Sequence, residues 1–162
     1  MRTIVYVDGF NLYYGSLRQQ VYLRALATLK PLVSVHYGHY LTSKTRAALV
    51  TPPPHTVEVW RTEEKGSDVN LATYLLLDAF DGRMESAVVV SNDSDLKTPM
   101  QVARHRFNMT VGLINPHQNT SRALLPIATF VRQVRAGPLL ASQFPDALLD
   151  ERGEIRRPES WR

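Results

Sequence analysis

Two short apolar runs that end directly in acid constrain this chain more than any other feature. Thr3, Ile4, Val5, Tyr6 and Val7 are closed by Asp8 and Gly9, and Ala87, Val88, Val89 and Val90 lead straight into Ser91, Asn92, Asp93, Ser94 and Asp95. Continuous β-rich runs of this length read as strands buried on both faces, the kind that parallel sheets contain. Thr110 to Ile114 is a third such run, closed by Asn115 and Pro116, and Thr129 to Val134 is a weaker fourth.

Helices fit between these strands. From Val69 to Phe80, apolar residues at Val69, Ala72, Leu76, Ala79 and Phe80, widened by Leu71 and Leu75, form the stripe of a helix packed on a sheet, with Asp68 at the expected N-cap. A second helix is expected from Leu96 to Arg106, directly after Asp95, with Pro99 tolerated in its first turn. Tyr22 to Leu29 is a shorter helical candidate. Val33, Val35 and Tyr37 alternate with polar residues, and a loop carrying Pro52, Pro53 and Pro54 precedes the alternating run Thr56 to Arg61, so this region is expected to form a hairpin. Pro145 to Arg162 is charged and weakly periodic, and is read as an extended tail. The expected organisation is one domain over residues 1–145 and a tail over 146–162.

Alternating strands and helices imply an α/β fold with a mostly parallel central sheet covered by helices on both sides. In such sheets ligands bind beyond the carboxyl ends of the strands. Asp8, Asp93 and Asp95 lie at such ends, and Asp68 follows the run Thr56 to Arg61 at a helix start. Carboxylates crowded together repel unless protonated or neutralised by a cation. With oxygen donors and no cysteine in the chain, the suitable ion is hard, Mg²⁺ or Mn²⁺. A metal so held activates water and stabilises the leaving oxygen in phosphodiester hydrolysis. Capping alone also accounts for an acid before a helix, and that reading stays open for Asp68 and Asp95.

The chain has 162 residues, enough for one core without disulfides or structural metals. Its lack of cysteine and the absence of a leader-like apolar core at the N-terminus lead to the expectation of a cytoplasmic protein. Apolar stretches fall short of the roughly 20 residues of a membrane helix, so no membrane partner is expected. The formal charge of +4 favours a polyanion. Lys65, Lys97 and Arg122 are candidate phosphate contacts, against the blander reading of solvated surface cations. Asn11 follows Asp8 closely enough to orient it or touch a phosphate. Arg104, His105 and Arg106 are explained by the dipole of a helix end. His36 and His39 would point to opposite faces of a strand, which disfavours a shared metal. His117 lies near the expected cleft with a minor claim to catalysis. Phe10, Tyr13 and Tyr14 are either base-stacking residues or core. Fingerprints of the G-x-G-x-x-G and G-x-x-x-x-G-K types and a Ser-centred elbow are missing from the sequence, which ranks nucleotide-dependent and acyl-transfer enzymes low.

Three segments, V-Y-V-D-G-F-N (5–11), K-G-S-D-V-N-L (65–71) and V-V-V-S-N-D-S-D-L (88–96), resemble in order the signature segments of the bacterial NYN-domain family. The resemblance spans Arg2 to about Pro145. It implies a PIN-like three-layer α/β/α sandwich, Mg²⁺ or Mn²⁺ dependence and cleavage of RNA. By position it implies that Asp8, Asp68, Asp93 and Asp95 match the acidic catalytic cluster, with Asp8, Asp93 and Asp95 as metal ligands and Asn11 and Ser91 as polar residues beside them. Two departures stand out. Tyr74 occupies a position where many relatives carry a further Asp, which puts two-metal chemistry in question. Between Leu17 and Gln20 the chain passes quickly into a helix where relatives usually have an additional strand. The expected partner is RNA, with a homodimer left open. The rival readings are a non-catalytic RNA-binding module of the same fold and an Asp-rich metal-dependent phosphatase or small-molecule enzyme.

Overall fold

A computed structural model of the chain describes residues 2–9 and 20–159. The expectations for Phe10, Asn11, Tyr13 and Tyr14, and for the passage after Leu17, lie outside the described residues. Four parallel strands form the central sheet in the order β1-β4-β5-β6: β1 (Thr3–Val7), β4 (Ser86–Val90), β5 (Thr110–Asn115) and β6 (Phe130–Gln133). Between β1 and β4 come helix α1 (Gln20–Ala27), strands β2 (His39–Ala48) and β3 (Thr56–Lys65), and helix α2 (Ser67–Phe80). A 3₁₀ turn (Ser94–Leu96) runs into α3 (Lys97–His105), and after β6 come α4 (Ala136–Ala141), β7 (Ala147–Asp150) and β8 (Gly153–Arg156). The fold is therefore α/β with a parallel central sheet and helices, as expected.

Register explains where the core lies. Tyr6 pairs with Val89, Val89 with Leu113 and Leu113 with Val131, so these side chains share one face of the sheet. Helices α2 and α3 pack onto that face through Leu75, Ala79, Met100 and Ala103, and Leu124 and Ile127 close it from the segment before β6. Burying a side chain such as Leu75 or Leu113 contributes about 1.5–3 kcal/mol, so this single layer holds the sheet's alignment.

Two strand expectations need correction. Strand β4, central in the sheet, is buried on both faces, but β1 is an edge strand whose Val5 and Val7 are 54% and 48% exposed. An apolar run reports strand character, and position in the sheet decides how much of it is covered. The alternating residues Val33 to Tyr37 form no strand; the first strand of the hairpin is His39–Ala48, paired antiparallel with β3 across a turn containing Pro52, Pro53 and Pro54. Residues on both faces of β2 are largely exposed, so no hydrophobic alternation marked it.

The C-terminal stretch is not simply extended. Strands β7 and β8 form a small antiparallel hairpin turned at Gly153, with φ of 108°, a left-handed conformation that favours glycine. Ile155 is buried, and the Asp150 carboxylate takes two hydrogen bonds from the Arg24 guanidinium of α1, at 2.9 and 2.6 Å. No helix among the described residues is long and apolar enough to cross a membrane.

Candidate functional site

The carboxyl edge of the sheet carries a row of polar side chains. Asp8 and Ser91 stand one residue beyond the last registered pair, Val7 with Val90, and Asn115 pairs with Gln133 at the end of β5 and β6. All continue the alternation of the core face, so the same register that buries Tyr6, Val89 and Leu113 lifts Asp8, Ser91 and Asn115 to the rim beneath α2 and α3. The Asp8 backbone N–H donates to the Val90 carbonyl at 3.0 Å, extending the parallel ladder to the acid itself.

Asp8 is 7% exposed, and its Oδ2 accepts a 2.7 Å hydrogen bond from the Ser91 hydroxyl. The Ser91 oxygen in turn accepts from the Asp93 N–H at 3.0 Å. Ser91 is fully buried, so its hydroxyl holds two acidic residues together rather than facing outward. Asp93 then caps the 3₁₀ turn: its Oδ1 accepts from the Asp95 N–H at 2.9 Å. The chain Asp8–Ser91–Asp93–Asp95 is thus one connected polar network, built by a strand end and a turn that follow each other in sequence. Asp93 is half-buried and Asp95 exposed.

Asp68 arrives on a different element. It lies in the first turn of α2, where its Oδ1 accepts from the Val69 N–H at 2.8 Å. It is not the N-cap. Helix α2 begins two residues earlier than expected, behind Gly66 in a left-handed conformation with φ of 97°, and Glu64 serves the orphan donors by accepting from Ser67 N and Oγ at 3.1 and 2.9 Å. The capping carboxylate came from the preceding strand, where no cap would be sought. Helix α2 also touches the 3₁₀ turn of residues 94–96 that follows β4.

The proposed phosphate contacts differ in availability. Lys65 is paired with Glu63 at 2.8 Å, while Lys97 and Arg122 are exposed. The paired Lys65 ammonium, followed by Arg61, holds the Glu63 carboxyl below its ordinary range. His117 is exposed, its N–H donating to Asn115 Oδ1 at 2.9 Å and its carbonyl accepting from Gln133. Tyr74 stacks on His36 with ring centroids 3.7 Å apart.

Two asparagines went unnoticed in the sequence. Asn92 donates to the Asn119 carbonyl at 3.0 Å and accepts from the Ser121 N–H at 2.7 Å, locking the loop after β5 against the loop after β4. Asn115, fully buried, also holds Thr120 Oγ1 at 2.9 Å. Asn115 was legible only as a strand terminator, because its partners follow it in a loop without periodicity. Beneath the end of α2, the Tyr6 hydroxyl donates to Asp78 Oδ2 at 2.7 Å, and burial, followed by that carboxylate, raises the phenol far above its ordinary value.

Among the described residues no three His, Asp or Glu side chains close into a group that could hold a metal by themselves. The hydrogen bond from Asp95 N engages Asp93 Oδ1 in the turn. What the edge offers is hard oxygen donors on Asp8 and Asp93, with the Ser91 hydroxyl linking the Asp8 carboxylate to the Asp93 backbone. That donor set fits Mg²⁺ or Mn²⁺, ions commonly held by one or two carboxylates plus water and substrate phosphate.

Comparison with known proteins agrees with this architecture. The chain is 30% identical over 137 residues to 6-hydroxy-3-succinoylpyridine 3-monooxygenase of Pseudomonas putida, an alignment covering 76% of this chain and 44% of that protein. The chain thus spans less than half the length of that relative. A crystal structure of a protein of unknown function from Vibrio parahaemolyticus superposes with a TM-score of 0.53 at 14% identity, covering 83% of this chain and 94% of that one, a likeness of fold. The profile of the NYN domain matches residues 2–132, a span that includes β1 through most of β6 and all four aspartates, and the chain belongs to the NYN domain family.

Proposed function

We propose that this protein is a metal-dependent ribonuclease that hydrolyses RNA phosphodiester bonds at the carboxyl edge of its sheet. The observation that carries the reading is the Asp8–Ser91–Asp93 linkage, in which one buried hydroxyl donates to the Asp8 carboxylate and accepts from the Asp93 backbone N–H, tying the end of β1 to the acidic turn after β4. Asp8 and Asp93 would hold Mg²⁺ or Mn²⁺, with Asp95 as a further ligand and Asp68 as an acid supplied from α2. The ion, when bound, supplies an activated water and charge stabilisation for the leaving oxygen. This chain's own residues orient and pay out charge around it: Ser91 keeps the Asp8 carboxylate turned to the edge, and the cap made by Asp93 holds the 3₁₀ turn in place. Lys97 and Arg122 are exposed cations suited to the RNA backbone, and Asn11, outside the described residues, is kept as a substrate contact. Residues 1–145 are taken as the catalytic domain, with 146–162 appended to it.

The test is cleavage of a labelled single-stranded RNA by the wild type and Asp93→Asn, with and without EDTA. Asn keeps shape and removes charge, and a loss of about 10² or more in rate is expected when such electrostatic stabilisation goes. Equal cleavage by both proteins, or cleavage indifferent to EDTA, overturns the reading.

The likeness to a monooxygenase favours a second reading, a small-molecule enzyme on the same fold. Oxygen uptake with 6-hydroxy-3-succinoylpyridine and an added reductant, in a preparation that leaves RNA intact, would favour it.

A further inference from the structure

The β2–β3 hairpin stands apart from the central sheet as a two-stranded ribbon with ten residues in each strand. Its register puts Tyr40, Thr42, Lys44 and Arg46 on one face with Trp60 and Thr62. Trp60 and Tyr40 are each 69% exposed, an unusual placement for rings of that size. Lys44 Nζ sits 5.1 Å from the Trp60 ring centroid, and the hydroxyls of Thr42 and Thr62 join across the strands at 2.9 Å between the two aromatics. Tyr40 and Lys44, the cross-strand neighbour of Trp60, are four residues apart, roughly 13 Å along the ribbon.

We propose that this face is a stacking platform for single-stranded RNA, placed to lead the strand toward the acidic edge; the proposal rests on the ribonuclease reading. Exposed rings accept any base on their π-faces, and neighbouring cations take the phosphates between. The charges on the face balance, exposed Lys44 and Arg46 against Glu58, opposite Arg46, and Glu64, opposite Tyr40 and bonded to Ser67, so the exposed rings carry the platform and the two cations supply local phosphate contacts. The ribbon is also continuous with the site, since β3 ends at Lys65 and Asp68 follows in the first turn of α2. An isolated two-stranded ribbon is marginal in water, and a bound strand would cover its apolar rings.

The experiment is fluorescence anisotropy of labelled oligouridine with the full chain in EDTA, so that binding is read without turnover, across a series of salt concentrations. The wild type should bind. Trp60→Ala should weaken binding about 5- to 150-fold, the value of one stacked base, and Tyr40→Ala should act in the same direction. Trp60→Phe should retain most of the affinity. The double variant Lys44→Ala, Arg46→Ala should reduce the salt slope by about 1.4, at roughly 0.7 per phosphate contact. Circular dichroism of each variant checks that the fold is intact. Wild-type affinity in both aromatic variants overturns the proposal, as does failure of the wild type to bind. Loss of a dimer in Trp60→Ala with RNA affinity unchanged would assign the face to self-association instead and equally overturn it. Because metal is excluded, a protein that binds through the hairpin but never cleaves RNA sinks the ribonuclease reading and leaves this one standing. One that cleaves without needing Trp60 or Tyr40 does the reverse.

Discussion

The Ser91 hydroxyl helps to orient Asp8. Ser91 Oγ donates to Asp8 and accepts from Asp93 N, in a position with no exposure. Ser91→Ala removes both bonds and leaves the part-buried Asp93 N–H without that acceptor. Its expected cost is about 1–3 kcal/mol in urea unfolding, with a fall in RNA cleavage that Ser91→Thr partly restores. An unchanged rate in Ser91→Ala would show that Asp8 needs no such positioning. At this scale the positions of Asp8, Asp93 and Asp95 beyond strand ends were legible because each follows an apolar run. Asn92 and Asn115 were not, because their work is done on loop backbone far along the chain, and no local pattern announces such partners.

Elements were legible where burial is regular. The bounds of β1, β4 and β5 follow from apolar runs closed by Asp, Ser and Asn, and α2 from its stripe of Leu71, Leu75 and Ala79. Strand β2 escaped because residues such as Tyr40, Leu41 and Lys44 face solvent on both sides, so the side-chain period carries no hydrophobic signal. The start of α2 escaped because its cap is assembled from Gly66 and Glu64. Gly66→Ala should therefore destabilise the protein by about 1–2 kcal/mol, the cost of a left-handed conformation for a residue with a Cβ; a melting curve identical to wild type would contradict this. The β7–β8 hairpin gives a pH prediction. The Arg24 guanidinium holds the Asp150 carboxyl below its ordinary value of 3.8, so the pair's contribution is present above that value and is lost as pH falls through the lowered one. Acid titration of the hairpin amides by NMR should show release from α1 only below the ordinary carboxylate range, and Asp150→Asn should abolish that step. Release in Asp150→Asn at the same pH as in wild type would contradict it.

For the whole molecule, the fold turns a repeated local design, an apolar strand ending in acid, into one polar edge. The parallel register places Asp8 beside Ser91, and the 3₁₀ turn after β4 brings Asp93 into the same network. The family resemblance made this edge legible in outline; the absence of a closed three-ligand group among the described residues was not legible, because side-chain directions at strand ends and turns leave no periodic signal. If the edge binds metal in the folded state, millimolar Mg²⁺ or Mn²⁺ raises the melting temperature, by an amount corresponding to about 2.7 kcal/mol at a hundredfold excess over Kd. The most direct measurement is a titration of Mn²⁺ followed by the electron paramagnetic resonance signal of the free ion, with the wild type, Asp8→Asn and Asp93→Asn. The account predicts that the wild type removes free Mn²⁺ from solution and that each variant does so much more weakly while keeping its fold by circular dichroism. Equal Mn²⁺ binding by all three proteins would contradict it.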